Sequence, residues 1–115
     1  MFGIFKQKQK PSIQEILEQL GQSASNIIDV AKKSSDLEVA MYGSAAVMSI
    51  IQSADEVFGI RVHPGIIFSS YLYALQQKDM AKMAEMTKEM ANALSQVDTN
   101  LHRGALVHFW FNGQS

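Results

Sequence analysis

Apolar residues recur every three or four positions along most of this chain, which is the spacing of one face of an α-helix. The pattern predicts four helices, at residues 12–33, 36–58, 64–77 and 79–103. Ser12 with Glu15, and Ser35 with Glu38, have the spacing of a capping box at the start of the first two helices. The predicted fold class is therefore all-α, a compact bundle of about four helices.

The second predicted helix is apolar on more than one face. No charged residue occurs between Val39 and Ala54, and the small residues around Gly43 would let a neighbouring helix approach closely. A helix that is hydrophobic on all sides is usually buried. The pattern therefore predicts a central position for this helix in the bundle.

The fourth predicted helix contains four of the seven methionines of the chain, Met80, Met83, Met86 and Met90. They share one arc with Leu94, Val97 and Leu101, so their first interpretation is packing in the core. The second is an adaptable apolar groove or dimer face, and the third is a copper(I) site made of thioethers. We expect one continuous helix that ends at Gly104.

Residues 105–115 are predicted to form a short apolar C-terminal segment that contains Phe109, Trp110 and Phe111. Three adjacent aromatic side chains left in water would form an adhesive patch. We therefore expect this segment to dock either on its own bundle or across a subunit interface. These three aromatics and the four methionines are the predicted partner-binding residues.

Polar residues offer only weak candidates for chemistry. Asp98 and His102 lie four positions apart and can pair on a helix, and Glu56, Arg61 and His63 could cluster at one end of the bundle. Neither group has the ligand spacing of a zinc site, and no nucleophile is placed beside them. The sequence therefore predicts no catalytic set, no metal and no cofactor.

Composition and charge narrow the classes of partner. The chain has 115 residues, which fits a single helical domain, and its formal net charge of −1 gives no support for nucleic-acid binding. It has no cysteine, which excludes disulfides and thiolate metal sites. The start of the sequence does not have the pattern of a signal peptide and no apolar run is long enough to span a bilayer, so we expect a soluble, cytoplasmic protein. Residues 1–10 combine three lysines with Phe2, Ile4 and Phe5. They are expected to be a flexible or packed terminus, with contact to an anionic membrane surface as the alternative.

These features favour a non-catalytic protein–protein interaction module, such as a small adaptor, chaperone-like or inhibitor protein. Its partner would be another protein or a second copy of itself in a homodimer. One alternative is a helical-bundle enzyme, or a protein that binds a metal or small ligand, that uses the histidine and carboxylate residues. The other alternative is a peripheral membrane protein that uses residues 1–10.

Placing a charge in the methionine arc tests whether that arc is hidden from water. We expect Met83→Glu or Met90→Glu to lower the melting temperature or to abolish self-association, because a carboxylate cannot be buried there without a partner. Circular dichroism melts and the mass in solution measure the two effects. An unchanged melting temperature together with an unchanged mass would mean that the arc faces solvent.

Overall fold

The computed structural model describes residues 12–58 and 65–111, and almost all of them lie in five helices. These are α1 (Ile13–Val30), α2 (Asp36–Phe58), α3 (Ile66–Gln76), α4 (Met80–Ser95) and α5 (Asn100–Phe111). The described ranges contain no strand. The all-α prediction is thus confirmed, with five packed helices in place of four helices and an added segment.

Both predicted capping boxes are present. The Ser12 hydroxyl accepts from the backbone N–H of Glu15 at 3.1 Å, and the Glu15 carboxylate accepts from the N–H of Ser12 at 2.8 Å. Ser35 and Glu38 repeat this exchange at 3.1 and 3.3 Å. A further hydrogen bond, donated by the Ser34 hydroxyl, holds the pKa of the Glu38 carboxyl below its ordinary value. Local hydrogen bonds therefore fix where α1 and α2 begin.

The centre of the bundle is α1, which packs most extensively along α5 and also contacts α2 and α4. The prediction that α2 is the central helix is therefore wrong. Only one side of α2 is buried, and its other side faces solvent. The core is formed by buried side chains from all five helices, among them Leu20, Ile27, Ile50, Phe68 and Leu94.

Two glycines let the backbones of α1 and α5 touch. A Cβ atom on Gly21 would overlap the carbonyl of Asn100 and would lie 2.8 Å from the amide nitrogen of Gly104. A Cβ atom on Gly104 would overlap the carbonyl of Leu17. Hydrogen in place of a side chain is therefore required at both positions, and Gly104 lies inside α5 instead of ending a helix.

The predicted helix at 79–103 is not continuous, and the prediction of a single rod is wrong. The chain leaves the helical conformation after Ser95 and re-enters it at Asn100. The Thr99 hydroxyl accepts from the N–H of His102 at 3.1 Å and so caps α5. The Arg103 guanidinium donates to the carbonyls of Leu94 and Val97, each at 3.1 Å, which satisfies backbone acceptors freed by the break.

The aromatic residues near the C-terminus belong to α5 and are not an appended segment. The Phe68 ring of α3 stacks on Phe111, with centroids 4.6 Å apart, and meets Trp110 edge to face at 5.9 Å. Trp110 and Phe111 are buried in their own bundle, whereas Phe109 is exposed. These contacts fasten α3 to the end of α5.

The turn between α3 and α4 is compact because Lys78 adopts the left-handed conformation, with φ of 58°. The Asp79 N–H donates to the carbonyl of Ala74 at 2.9 Å and the Lys78 N–H donates to that of Leu75 at 3.0 Å, which is the hydrogen-bond pattern of a Schellman motif. Asp79 then caps α4, since its carboxylate accepts from the N–H of Lys82 at 3.1 Å. Asp79 is therefore the N-cap residue of α4.

Adding one methyl group at the α1–α5 crossing should separate the two helices. We expect Gly21→Ala to lower the free energy of unfolding by about 2–3 kcal/mol or more, because the added carbon overlaps backbone that cannot rotate away. Urea denaturation measures the change. The matched control is Gln22→Ala, at an exposed position of the same helix. Equal stability of the two variants would show that the backbones do not touch.

Candidate functional site

The predicted methionine set divides into buried and exposed members. Met83, Met86 and Met90 are 1%, 9% and 3% exposed, and Met80 is 41% exposed. The first three pack in the core with Leu94. Of the residues predicted to bind a partner, only Met80 and Phe109 present a large exposed side chain. The partner-binding role of the set stays a prediction, and the buried members serve the fold.

Thr87 is the one buried polar residue recorded in the core of the described ranges. Its hydroxyl donates to the carbonyl of Met83 at 2.8 Å and lies 3.2 Å from the Tyr71 hydroxyl. A Cβ atom on Gly43 would lie 3.0 Å from that Tyr71 oxygen and would overlap Thr87. Burial raises the pKa of the Tyr71 phenol, so it stays protonated at neutral pH. This cluster joins α2, α3 and α4 and is structural.

This cluster was not predicted from the sequence. The available signal was a threonine at position 87, four residues after Met83 and three before Met90, inside an otherwise apolar arc. A polar residue on the buried side of a helix needs a hydrogen-bond partner. Its own helix supplies one through the Met83 carbonyl, but no sequence rule places Tyr71 beside it.

The predicted polar site is only partly within the described ranges. Asp98 and His102 approach to 3.9 Å, and both side chains are largely exposed. Glu56 is exposed at the end of α2, and Arg61 and His63 lie outside the described residues. No group of three or more histidine, aspartate or glutamate side chains in 12–58 and 65–111 is arranged to hold a metal ion. The lysines and aromatics of residues 1–10 also lie outside the described ranges.

The outer face of α2 is an apolar surface that was not predicted from the sequence. Leu37, Met41, Tyr42 and Met48 are 55%, 53%, 51% and 47% exposed. Ala45, Ser49 and Gln52 lie between and beside them and are also exposed. We call these seven residues the α2 face. At about 100° per residue they occupy one continuous arc, opposite the buried Val39, Ala46, Val47, Ile50 and Ala54.

The α2 face differs from the outer faces of α1 and α4, the two helices that pack against α2. The exposed side of α4 carries Lys82, Glu85, Lys88 and Glu89, and that of α1 carries Glu15 and Glu18. The α2 face has no charged member. The signal was present in the sequence as the charge-free run from Val39 to Ala54, which was interpreted as burial on all sides.

Charged residues lie at the two ends of α2. Those of its first turn take part in an ion pair or in hydrogen bonds. The Lys88 ammonium of α4 donates to the Asp36 carboxylate at 2.8 Å. Glu38 is held in its capping box. The Lys33 ammonium lies 5.2 Å from the centroid of the Tyr42 ring, which places a cation at the rim of the α2 face. The middle of the α2 face carries no charged residue.

Comparison of the chain with protein-family models, with curated proteins and with solved structures gave no match. Within 12–58 and 65–111, none of the helices combines the length and the apolar character needed to cross a membrane.

Because the Thr87 and Tyr71 hydroxyls are buried together, substitutions at the two positions should have non-additive effects on the free energy of unfolding. We expect Thr87→Val to lower the free energy of unfolding by about 1–3 kcal/mol, because it leaves the Tyr71 hydroxyl buried without its hydrogen-bond partner. Adding Tyr71→Phe to Thr87→Val should restore part of that loss, whereas Tyr71→Phe alone should destabilise the protein slightly. Urea denaturation of the four proteins in a double-mutant cycle measures this. Strictly additive effects would show that the two hydroxyls do not interact.

Proposed function

We propose that this protein is a non-catalytic protein-interaction module that binds its partner through the α2 face. The observation that carries the proposal is the half-exposure of Leu37, Met41, Tyr42 and Met48 along one helical arc that has no charged residue between positions 39 and 54. Exposed apolar residues that occur singly need no explanation, but a contiguous set marks an interaction site.

The composition of the α2 face suits a protein partner. Methionine and tyrosine are enriched at the centres of protein interfaces, and lysine and glutamate are depleted there. The flexible thioethers of Met41 and Met48 can adapt to the shape of an apolar partner. Burying such side chains contributes about 25 cal/mol for each Å² of apolar surface removed from water. The α2 face could therefore contribute binding free energy and also adapt to the shape of its partner.

The rest of the bundle holds the α2 face rigid. Val39, Val47 and Ile50 anchor the inner side of α2 in the core, and Gly43 fits against the Thr87–Tyr71 pair. The buried methionines of α4 help to hold α2 in position, because α4 packs against α2. A face that is already ordered loses little conformational entropy on binding. In this proposal the buried methionines serve binding indirectly, by supporting the helix that carries the contact.

The catalytic alternative has less support within the described residues. Asp98 and His102 are exposed to solvent, while the buried Tyr71 and Thr87 satisfy each other. A general base needs an oriented partner and a reacting group in a site that excludes water. The apolar surface is the stronger of the two features.

Site-specific photo-crosslinking in cells tests the proposal. Benzoylphenylalanine is introduced at Met48, on the α2 face, and in a separate variant at Glu89, which is exposed on the outer side of α4. We expect irradiation to give a discrete protein adduct from the Met48 variant and none from the Glu89 variant. Only the α2 face should hold a protein close enough to react.

The outcome at the two positions decides the proposal. Absence of an adduct at Met48, or equal adducts at both positions, would contradict it. The mass of the adduct then distinguishes a second copy of the chain from a different protein. Because both variants replace exposed side chains, thermal melts should match those of the unmodified protein and serve as the folding control.

A further inference from the structure

We infer that α4 and α5 join into one continuous helix when two copies of this protein associate, so that the α5 of each copy packs against the α1 of the other in a domain-swapped dimer. This inference goes beyond the proposed function, because it does not involve the α2 face. It follows from the sequence of the break at 96–99, from the contacts that place α5, and from two apolar residues beside the break.

The break at 96–99 contains no residue that prevents a helix. Its sequence, QVDT, includes neither glycine nor proline. Valine, aspartate and threonine are weaker helix formers than alanine, but none of them breaks a helix. The apolar spacing runs through the break, since Leu94, Val97 and Leu101 follow one another at helical intervals. The local sequence therefore permits a continuous helix from Met80 to Phe111 as well as the broken form.

Most hydrogen bonds that hold the break have replacements in a continuous helix. The carbonyls of Leu94 and Val97 accept from the Arg103 guanidinium, each at 3.1 Å. In a continuous helix the same carbonyls would accept from the backbone N–H groups four residues later. The cap that the Thr99 hydroxyl gives to the N–H of His102 would be lost. The local balance between the two forms is therefore close, and the Thr99 cap favours the break.

The position of α5 is fixed mainly by α1 and α3. Gly104 fits against the backbone of α1 at Leu17 and Gly21, and Phe111 stacks on Phe68 of α3. A straight α4–α5 helix carries α5 away from both sites and uncovers its apolar side. The α5 of a second copy restores all of these contacts, because it is the identical helix. A short connection between exchangeable elements is the requirement for domain swapping.

Two apolar residues beside the break are only partly buried in the single chain. Val97 lies within the break, and Leu101 lies in the first turn of α5. On a continuous helix both would lie on the same side as Leu94. In a swapped dimer the two joined helices run antiparallel and pass each other near 97–101, since each leads from one bundle to the other. Val97 and Leu101 of both copies then bury against each other, which is a contact that the monomer lacks.

Exchange of α5 requires that its contacts with α1 and α3 first be broken. Because Val107, Trp110 and Phe111 are buried, this opening exposes part of the core and is slow. The monomer and the swapped dimer should therefore be separable species, in a ratio set by the protein concentration during folding. A dimer formed through an exposed surface would instead dissociate quickly on dilution.

Substitution of the cap gives the first test. Thr99→Ala removes the hydroxyl, and Thr99→Ser keeps it as the matched control. Each variant and the wild type is refolded from urea at a series of protein concentrations, and size-exclusion chromatography with light scattering measures the dimer fraction. We expect all three proteins to dimerise at high concentration. We expect the Kd of Thr99→Ala to be at least about tenfold lower than that of Thr99→Ser, because the substitution removes from both chains a cap that only the monomer has.

Intermolecular paramagnetic broadening gives the second test. The chain has no cysteine, so a nitroxide can be attached at Ala105→Cys, an exposed position of α5 next to Gly104. This chain is refolded together with isotope-labelled wild type. In the dimer fraction we expect the amide signals of Leu17 and Gly21 of the wild type to broaden, because the α5 beside them comes from the other copy. The control is a mixture of the two proteins folded separately, in which these signals stay sharp.

Three results would overturn the inference. The first is that all three proteins refold only as monomers, whatever the melting temperature of Thr99→Ala. The second is an equal Kd for Thr99→Ala and Thr99→Ser. The third is a dimer in which the Leu17 and Gly21 signals stay sharp, since α5 then remains on its own bundle. None of them affects the proposed function, which is decided by the Met48 photo-adduct.

Discussion

The contact between the backbones of α1 and α5 at Gly21 and Gly104 is the constraint on which the rest of the structure depends. Because a Cβ atom on either glycine would overlap the opposite backbone, the two helices lie closer than side-chain packing allows. For α5 to reach α1, the chain must turn after α4, and it does so with Thr99 as a cap and Arg103 bonded to the freed carbonyls. The end of α5 then carries Trp110 and Phe111 onto Phe68 of α3.

The central position of α1 explains why α2 keeps one side in water. The inner side of α2 is held by α1 and by α4, and the Tyr71 hydroxyl of α3 reaches Gly43 at the same level. Its outer side is exposed, and between positions 39 and 54 it carries no charged residue. Met41 and Met48 are 53% and 47% exposed, so packing within the bundle buries only about half of each side chain. The exposed half is the surface that the proposed interface would bury, which links the fold to the proposed function.

Features set by neighbouring residues could be predicted from the sequence, and features set by distant residues could not. The two capping boxes and the start of α2 follow from side chains three positions apart, so they were predicted at the right residues. The break at 96–99 was missed because the apolar period continues through Leu94, Val97 and Leu101. Gly104 was interpreted as a helix end because a glycine signals either a stop or a close approach, and only the position of Leu17 on α1 decides between them. The apolar excess of α2 is visible in the sequence, but the prediction that it is buried on all sides was wrong. Periodicity does not show how many other helices pack against a helix.

Methionine methyl NMR gives the most direct test of the claim that the α2 face is the interaction surface. Spectra of protein labelled at the methionine methyl groups would be compared between dilute and concentrated samples, and with cell extract added. The account predicts that the signals of Met41 and Met48 shift or broaden, while those of the buried Met83 and Met90 stay in place. Unchanged Met41 and Met48 signals under all of these conditions would contradict it.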